Sequence, residues 1–231
     1  MFSRWIDTAL TRLTSQCAVC HSWPAQPVCE ACVNQFAQPH PRCRTCALPL
    51  PIGMRQCGAC LKNPPPLDLC LTAVPYAFPW SGLIADFKFH DQLGLKRSFA
   101  TLLRSAPWVE PELETARWLI PMPLSPDKLK ERGYNQAAVL ARELDSTKTN
   151  TQLLHKIKNT PAQHTLPRQE RLAALVDAFA VDPLLAPSLK GQRVVLVDDV
   201  MTTGASLTHA ARALKAAGAS QVCGLVLART E

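Results

Sequence analysis

Two adjacent carboxylates and a run of hydroxyls follow an apolar stretch in the segment Val194, Val195, Leu196, Val197, Asp198, Asp199, Val200, Met201, Thr202, Thr203, Gly204, Ala205 and Ser206. A buried strand of this kind delivers its acidic side chains to the carboxyl edge of a parallel sheet, where open α/β sheets hold their ligands. Thr202, Thr203 and Ser206 offer hydroxyls, and Gly204 lets the backbone approach closely. A helix starting there presents free amides and the positive end of its dipole to an anion. Carboxylates for sugar hydroxyls beside donors for a phosphate suit a sugar phosphate. A strand end and a helix cap would explain an isolated aspartate pair, but not the whole string. No lysine follows the glycine as in a Walker loop, and no dinucleotide fingerprint is present.

The second set of chemical residues is sulfur. Eight of the ten cysteines form four C-x2-C pairs: Cys17/Cys20, Cys29/Cys32, Cys43/Cys46 and Cys57/Cys60. Each pair can offer two thiolates to one metal from a tight turn, and two pairs complete a tetrahedron, so the spacing points to two structural zinc ions. Sequential pairing puts Cys17, Cys20, Cys29 and Cys32 on one ion and the later four on another; an interleaved arrangement fits the same spacing. A closed all-cysteine shell supplies folding energy rather than catalysis. Cys70 and Cys223 stand alone and read as small buried apolar residues. His21, Arg42, Arg44, Arg55 and Lys62 surround the pairs and either meet phosphates or are simply solvated. The formal charge of +7 is no argument for nucleic acid: two four-thiolate zinc sites add eight negative and four positive charges and bring it to +3.

These residues need a frame, and the sequence outlines one. Three prolines, Pro64, Pro65 and Pro66, separate the cysteine-rich part from the rest, because such a run cannot continue a helix. The expected organisation is an N-terminal segment (1–16), a double ribbon (17–63) and a larger domain (67–231). In that domain strands are expected at 71–77, 118–120, 194–197 and 222–227. Helices are expected at 81–89 and 95–103, with Gly94 between them, and where Ala137, Leu140, Ala141 and Leu144 recur at helical spacing. Leu207, Ala210, Ala211, Leu214 and Ala217 form another stripe, closed by Gly218. Strand, helix and strand in that order make a βαβ unit and an α/β fold with a parallel sheet.

No stretch has the ~18 consecutive apolar residues of a membrane span. Arg4, Asp7 and Arg12 interrupt any leader-like apolar core, so the chain reads as cytoplasmic. Phe2, Trp5, Ile6, Ala9, Leu10 and Leu13 lie at helical spacing, as in a short amphipathic helix packing on its own protein or lying on a membrane surface.

The thirteen-residue string closely resembles the binding signature of type I phosphoribosyltransferases for 5-phosphoribosyl-1-pyrophosphate (PRPP). Together with the cysteine pairs, with Pro121, Met122, Pro123 and Leu124, and with Lys130, Glu131, Arg132, Gly133, Tyr134, Asn135 and Gln136, it makes nearly the whole chain similar to the ComF family of competence-associated proteins. That resemblance implies a type I phosphoribosyltransferase-like sheet flanked by helices, preceded by a double zinc ribbon. It implies that Asp198 and Asp199 face the ribose hydroxyls, and that the loop from Val200 and Met201 through Thr202, Thr203, Gly204, Ala205 and Ser206 cradles the 5-phosphate. Pro121, Met122, Pro123 and Leu124 would flank pyrophosphate, which Lys130 and Arg132 would neutralise with Mg2+. The family tends to carry a lysine at Lys88. Gln163, Leu166, Arg168 and Arg171 match a flap pattern in which Ala174 replaces an asparagine. The implied reaction displaces pyrophosphate from C1 of PRPP by a nitrogen nucleophile. Only four residues follow Leu227, so an acceptor pocket is expected from the N-terminal side. The resemblance also implies a part in natural transformation, with single-stranded DNA and a DNA-uptake helicase or other competence proteins as partners. The alternative is a non-catalytic protein that senses PRPP and binds single strands. For that role Trp80, Trp108 and Trp118 would either stack bases or fill the core.

Overall fold

The computed structural model describes residues 16–23, 25–157 and 178–231. The N-terminal stripe and the flap residues Gln163, Leu166, Arg168, Arg171 and Ala174 lie outside them. In chain order the elements are α1 (Glu30–Phe36), α2 (Gly58–Lys62), β1 (Leu69–Pro75), α3 (Trp80–Phe89), α4 (Lys96–Ser105), α5 (Val109–Thr115), β2 (Trp118–Pro121), α6 (Pro126–Arg132), α7 (Gln136–Asp145), β3 (Leu154–Lys156), β4 (Phe179–Val181), β5 (Arg193–Met201), α8 (Ala205–Ala216) and β6 (Gln221–Arg229).

The sheet runs β1-β6-β5-β2, with every pair parallel. Strands covered on both faces read as continuous apolar runs, and Val194 to Val197 are each at most 1% exposed. Their side chains alternate between two cores. Val195 and Val197 join Phe99 and Leu103 of α4 and Leu140 and Leu144 of α7. Val194 and Leu196 join Leu207, Ala211 and Leu214 of α8. The second core also takes in the antiparallel β3–β4 pair.

β5 extends four residues beyond its apolar run, through Asp198 and Asp199 to Met201. The cause is pairing rather than hydropathy: Asp198 lies opposite Val226, Val200 opposite Ala228 and Met201 opposite Arg229. The strand expected at 71–77 lies two residues earlier. A single 3-10 turn at Leu93–Leu95 makes the break around Gly94. α6 has no buried residue and hence no stripe to read from the sequence. It is set by its ends instead: Ser125 accepts from the Lys128 amide, Pro126 opens the helix, and Gly133 closes it at φ +75.

Both ribbons dock on the sheet domain. Cys17, Val28 and Cys32 enter the core that contains Trp80, and the indole Nε1 of Trp80 donates to the Phe36 carbonyl at 2.8 Å. Ala47 enters the other core, while the Cys70 amide donates to the Arg44 carbonyl at 2.7 Å. Both cores therefore cross the boundary outlined by the three prolines. Among the described residues no helix is long and apolar enough to cross a membrane.

Candidate functional site

The cysteines gather as two sequential clusters, Cys17, Cys20, Cys29 and Cys32, and Cys43, Cys46, Cys57 and Cys60, each with all four sulfurs within 4.8 Å of one another. Sulfurs at about 2.3 Å from a tetrahedral zinc lie about 3.8 Å apart. Cys17 and Cys32 are 3.9 Å apart, Cys20 and Cys29 3.6 Å, and Cys46 and Cys57 3.7 Å. No cysteine is in a disulfide. The knuckle backbone already favours thiolates: Val19 and Cys29 amides point at the Cys17 sulfur, and the Cys57 amide points at that of Cys43. Burial opposes ionisation, but these amides outweigh it and bring Cys17 and Cys43 down to about 6. Burial pushes Cys32 and Cys46 well up, so a metal would have to displace their protons. Donor type, number and spacing fit a double zinc ribbon.

At the carboxyl edge of the sheet, β5 presents Asp198 and Asp199, and the Asp199 amide donates to an Asp198 carboxylate oxygen at 2.9 Å. Lys88, from the end of α3, places its ammonium 2.9 Å from Asp199 Oδ1, with both side chains largely buried. Burial, followed by the charge of Asp199, pushes Asp198 up to about 7; Lys88 and Arg132 pull the other way. After the strand come exposed Thr202 and Thr203, then Gly204 at φ +77 as the first cap of α8. Gly204 suits the left-handed backbone here, and a Cβ would sit 2.3 Å from the Met201 methyl carbon, which would have to shift. Ala205 and Ser206 open the twelve-residue helix. Met201 itself is 3% exposed, its sulfur 3.6 Å from that of Cys70 and its methyl carbon packed against Gly204.

The turn after β2 lies beside these carboxylates. Pro121 is opposite Val197, and the Met122 amide donates to the Val197 carbonyl at 2.8 Å. Pro121 and Met122 are buried, while Pro123 and Leu124 are half-buried. The segment 130–136 then fastens α3 to this edge. Tyr134 donates its hydroxyl to the Phe87 carbonyl, Gln136 its amide to that of Lys88 at 3.2 Å, and Asn135 its amide to that of Met122 at 2.9 Å. Arg132 lies over the Phe89 ring at 5.0 Å and donates to Gln136, while its buried Nε has no partner among the described residues. Lys130 is exposed on α6. The structure therefore brings Lys88, Arg132, Asp198, Asp199, the proline turn and the threonine loop to one edge.

Sequence reasoning missed two features. Arg229, 4% exposed at the end of β6, donates Nε to the Cys46 carbonyl at 3.0 Å and Nη1 to the Met201 carbonyl at 3.2 Å, and also to that of Thr202. A lone cation ending the apolar run of β6 was its only signal. The other is a cavity of about 730 Å3 between the ribbons, β1 and the α4–α5 connection. Leu69, Leu71 and Leu102 supply apolar lining, and His40, Arg42, Arg44, Arg55 and Trp108 surround it. Of the tryptophans weighed for base stacking, Trp80 is fully buried, Trp108 is 74% exposed, and half-buried Trp118 lies under Arg117, whose guanidinium is 4.6 Å from the ring centroid.

Residues 129–230 match the phosphoribosyl transferase domain family. The chain is 32% identical over 210 residues to Competence protein F of Haemophilus influenzae, covering 87% of this chain and 90% of that protein. It is 28% identical over 209 residues to DNA utilization protein YhgH of Escherichia coli K12, covering 88% and 90%. It is 34% identical over 113 residues to Competence protein ComFC of Bacillus subtilis, covering 48% and 44%. With two four-cysteine clusters ahead of a phosphoribosyl transferase domain on a parallel sheet, the chain belongs to the ComF family.

Proposed function

We propose that the carboxyl edge of the sheet binds PRPP with Mg2+, and that the protein transfers the phosphoribosyl group to an acceptor in support of DNA uptake. The observation that carries this reading is the pair Asp198 and Asp199, held by Lys88 beside a helix start with exposed threonines. In this reading the two carboxylates accept from the ribose 2- and 3-hydroxyls. The loop amides, Thr202, Thr203 and Ser206 donate to the 5-phosphate. Arg132, whose Nε lacks a partner among the described residues, and Lys130 meet the departing pyrophosphate. Asp198, Asp199 and the pyrophosphate would hold Mg2+, which supplies charge neutralisation of the leaving group. As the C1–O bond to pyrophosphate breaks, that bond's electron pair leaves with the oxygen, and a nucleophile on the acceptor forms the new bond to C1. The DNA-uptake context rests on the names of the competence and DNA-utilization relatives. Calorimetric titration of PRPP with Mg2+ into the wild type and the Asp198→Asn/Asp199→Asn variant tests the site. Binding lost only in the folded variant supports it; a wild type that takes up no PRPP, or a variant that binds equally, removes it.

A second reading is a non-catalytic, PRPP-responsive protein that binds single-stranded DNA. The cavity favours it, because exposed Arg44 and Arg55 beside a 74%-exposed Trp108 combine phosphate neutralisation with an aromatic face. Single-strand binding without pyrophosphate release in the presence of any acceptor would support this second reading over transfer.

A further inference from the structure

Arg229 sits where the cysteine ribbon and the aspartate edge come within reach of one side chain. Its guanidinium donates to the Cys46 carbonyl on one side and to the Met201 and Thr202 carbonyls on the other, with Thr230 also accepting. The Thr230 amide adds a second donor to Met201, at 3.1 Å. In a trans peptide the carbonyl and the next amide point in opposite directions. Drawing the Met201 and Thr202 carbonyls inward therefore turns the Thr202 and Thr203 amides away from Arg229. Neither amide donates to another group among the described residues.

A buried cation also needs charge nearby. Among the described residues no carboxylate accepts from Arg229, whose partners are oxygens of Cys46, Met201, Thr202 and Thr230. Four thiolates around one divalent zinc carry a net charge of −2, so a filled second cluster would be the counter-charge of this guanidinium.

We propose that Arg229 is a positioning residue that ties the second cysteine cluster to the phosphate loop, so that metal in that cluster sets the strength of PRPP binding. This rests on the PRPP reading above. Among the described residues no side-chain hydrogen bond ties the first cluster to the loop; it packs against Trp80 in the opposite core.

The test uses the full chain as wild type, Arg229→Lys, Cys57→Ser and Cys29→Ser. Three readouts are taken: metal content, PRPP–Mg2+ affinity by calorimetry, and amide exchange of the 201–206 segment by mass spectrometry. A lysine cannot reach both sides at once. Arg229→Lys should keep its zinc, exchange faster at Thr202 and Thr203, and bind PRPP about tenfold or more weakly, as expected for losing charge-assisted hydrogen bonds. Cys57→Ser should reproduce the faster exchange and weaker binding with Arg229 intact, and Cys29→Ser should cost less. Arg229→Lys with wild-type exchange, or equal effects from the two cysteine variants, overturns the proposal. If the wild type binds no PRPP, the parent reading falls, and the exchange comparison still decides whether the clasp exists. If Arg229→Lys does not fold, the two cysteine variants decide.

Discussion

The Lys88 ammonium lies 2.9 Å from the Asp199 carboxylate, although one ends a helix and the other lies in the strand that packs beside it across the edge. Two carboxylates side by side in a half-dry site repel, and the adjacent cation offsets that repulsion. Lys88→Met should weaken PRPP binding at pH 7, since Asp198 would hold its proton more tightly without this cation, and should move the binding midpoint to higher pH. Lys88→Arg should retain most of the affinity. Titrations across pH 6–9 read both effects, and a profile unchanged by Lys88→Met would remove the lysine from the site.

Asp198 also leaves a mark on stability. Folded Asp198 keeps its proton to about 7, whereas the unfolded chain releases it near 3.8. The folded state therefore binds more protons between those values, and stability falls as pH rises through that window. Asp198→Asn should abolish this fall and be more stable than the wild type at pH 8 by about 1–3 kcal/mol. Urea melts at pH 5 and 8 measure the difference; equal gains at both pH values would contradict the assignment.

Arg132 and Lys130 are proposed to meet pyrophosphate rather than ribose phosphate. Arg132→Gln should therefore weaken inorganic pyrophosphate and PRPP by a similar factor, of order 10 or more, and leave ribose 5-phosphate nearly unaffected. Competition titrations separate the three ligands. Equal losses for all three would assign Arg132 to the fold.

The two clusters should bind two zinc ions per chain, and Cys17→Ser or Cys43→Ser should each remove one. Elemental analysis against protein concentration gives the count. Because both clusters border cores shared with the sheet domain, either loss should also lower Tm, and a wild-type Tm would show that the ribbons dock without contributing.

For the single-strand reading, Arg44→Glu with Arg55→Glu should reduce the slope of log affinity against log salt by roughly 1.4, the single-strand value for two phosphate contacts. Trp108→Ala should weaken binding by about 1–3 kcal/mol with the slope unchanged. Fluorescence anisotropy of a labelled oligodeoxynucleotide reads both; equal slopes for the wild type and the double variant would move any DNA contact elsewhere.

What the sequence determined by itself was local. Four C-x2-C pairs can close on metal through neighbouring turns, and the 194–206 string carries strand, carboxylates, glycine and helix start in one uninterrupted segment, so its order alone specifies the edge. The apolar periods located β5, α7, α8 and β6 because each buries a regular face. Tertiary structure decided the rest. It chose sequential over interleaved cysteine pairing and turned Met201 into the core. It gave Lys88 its partner, and through Arg229, which lies 183 positions from Cys46, it joined that cysteine to the loop. Such contacts depend on which strands become neighbours and on which buried charges must then be compensated, and no local pattern of residues records either.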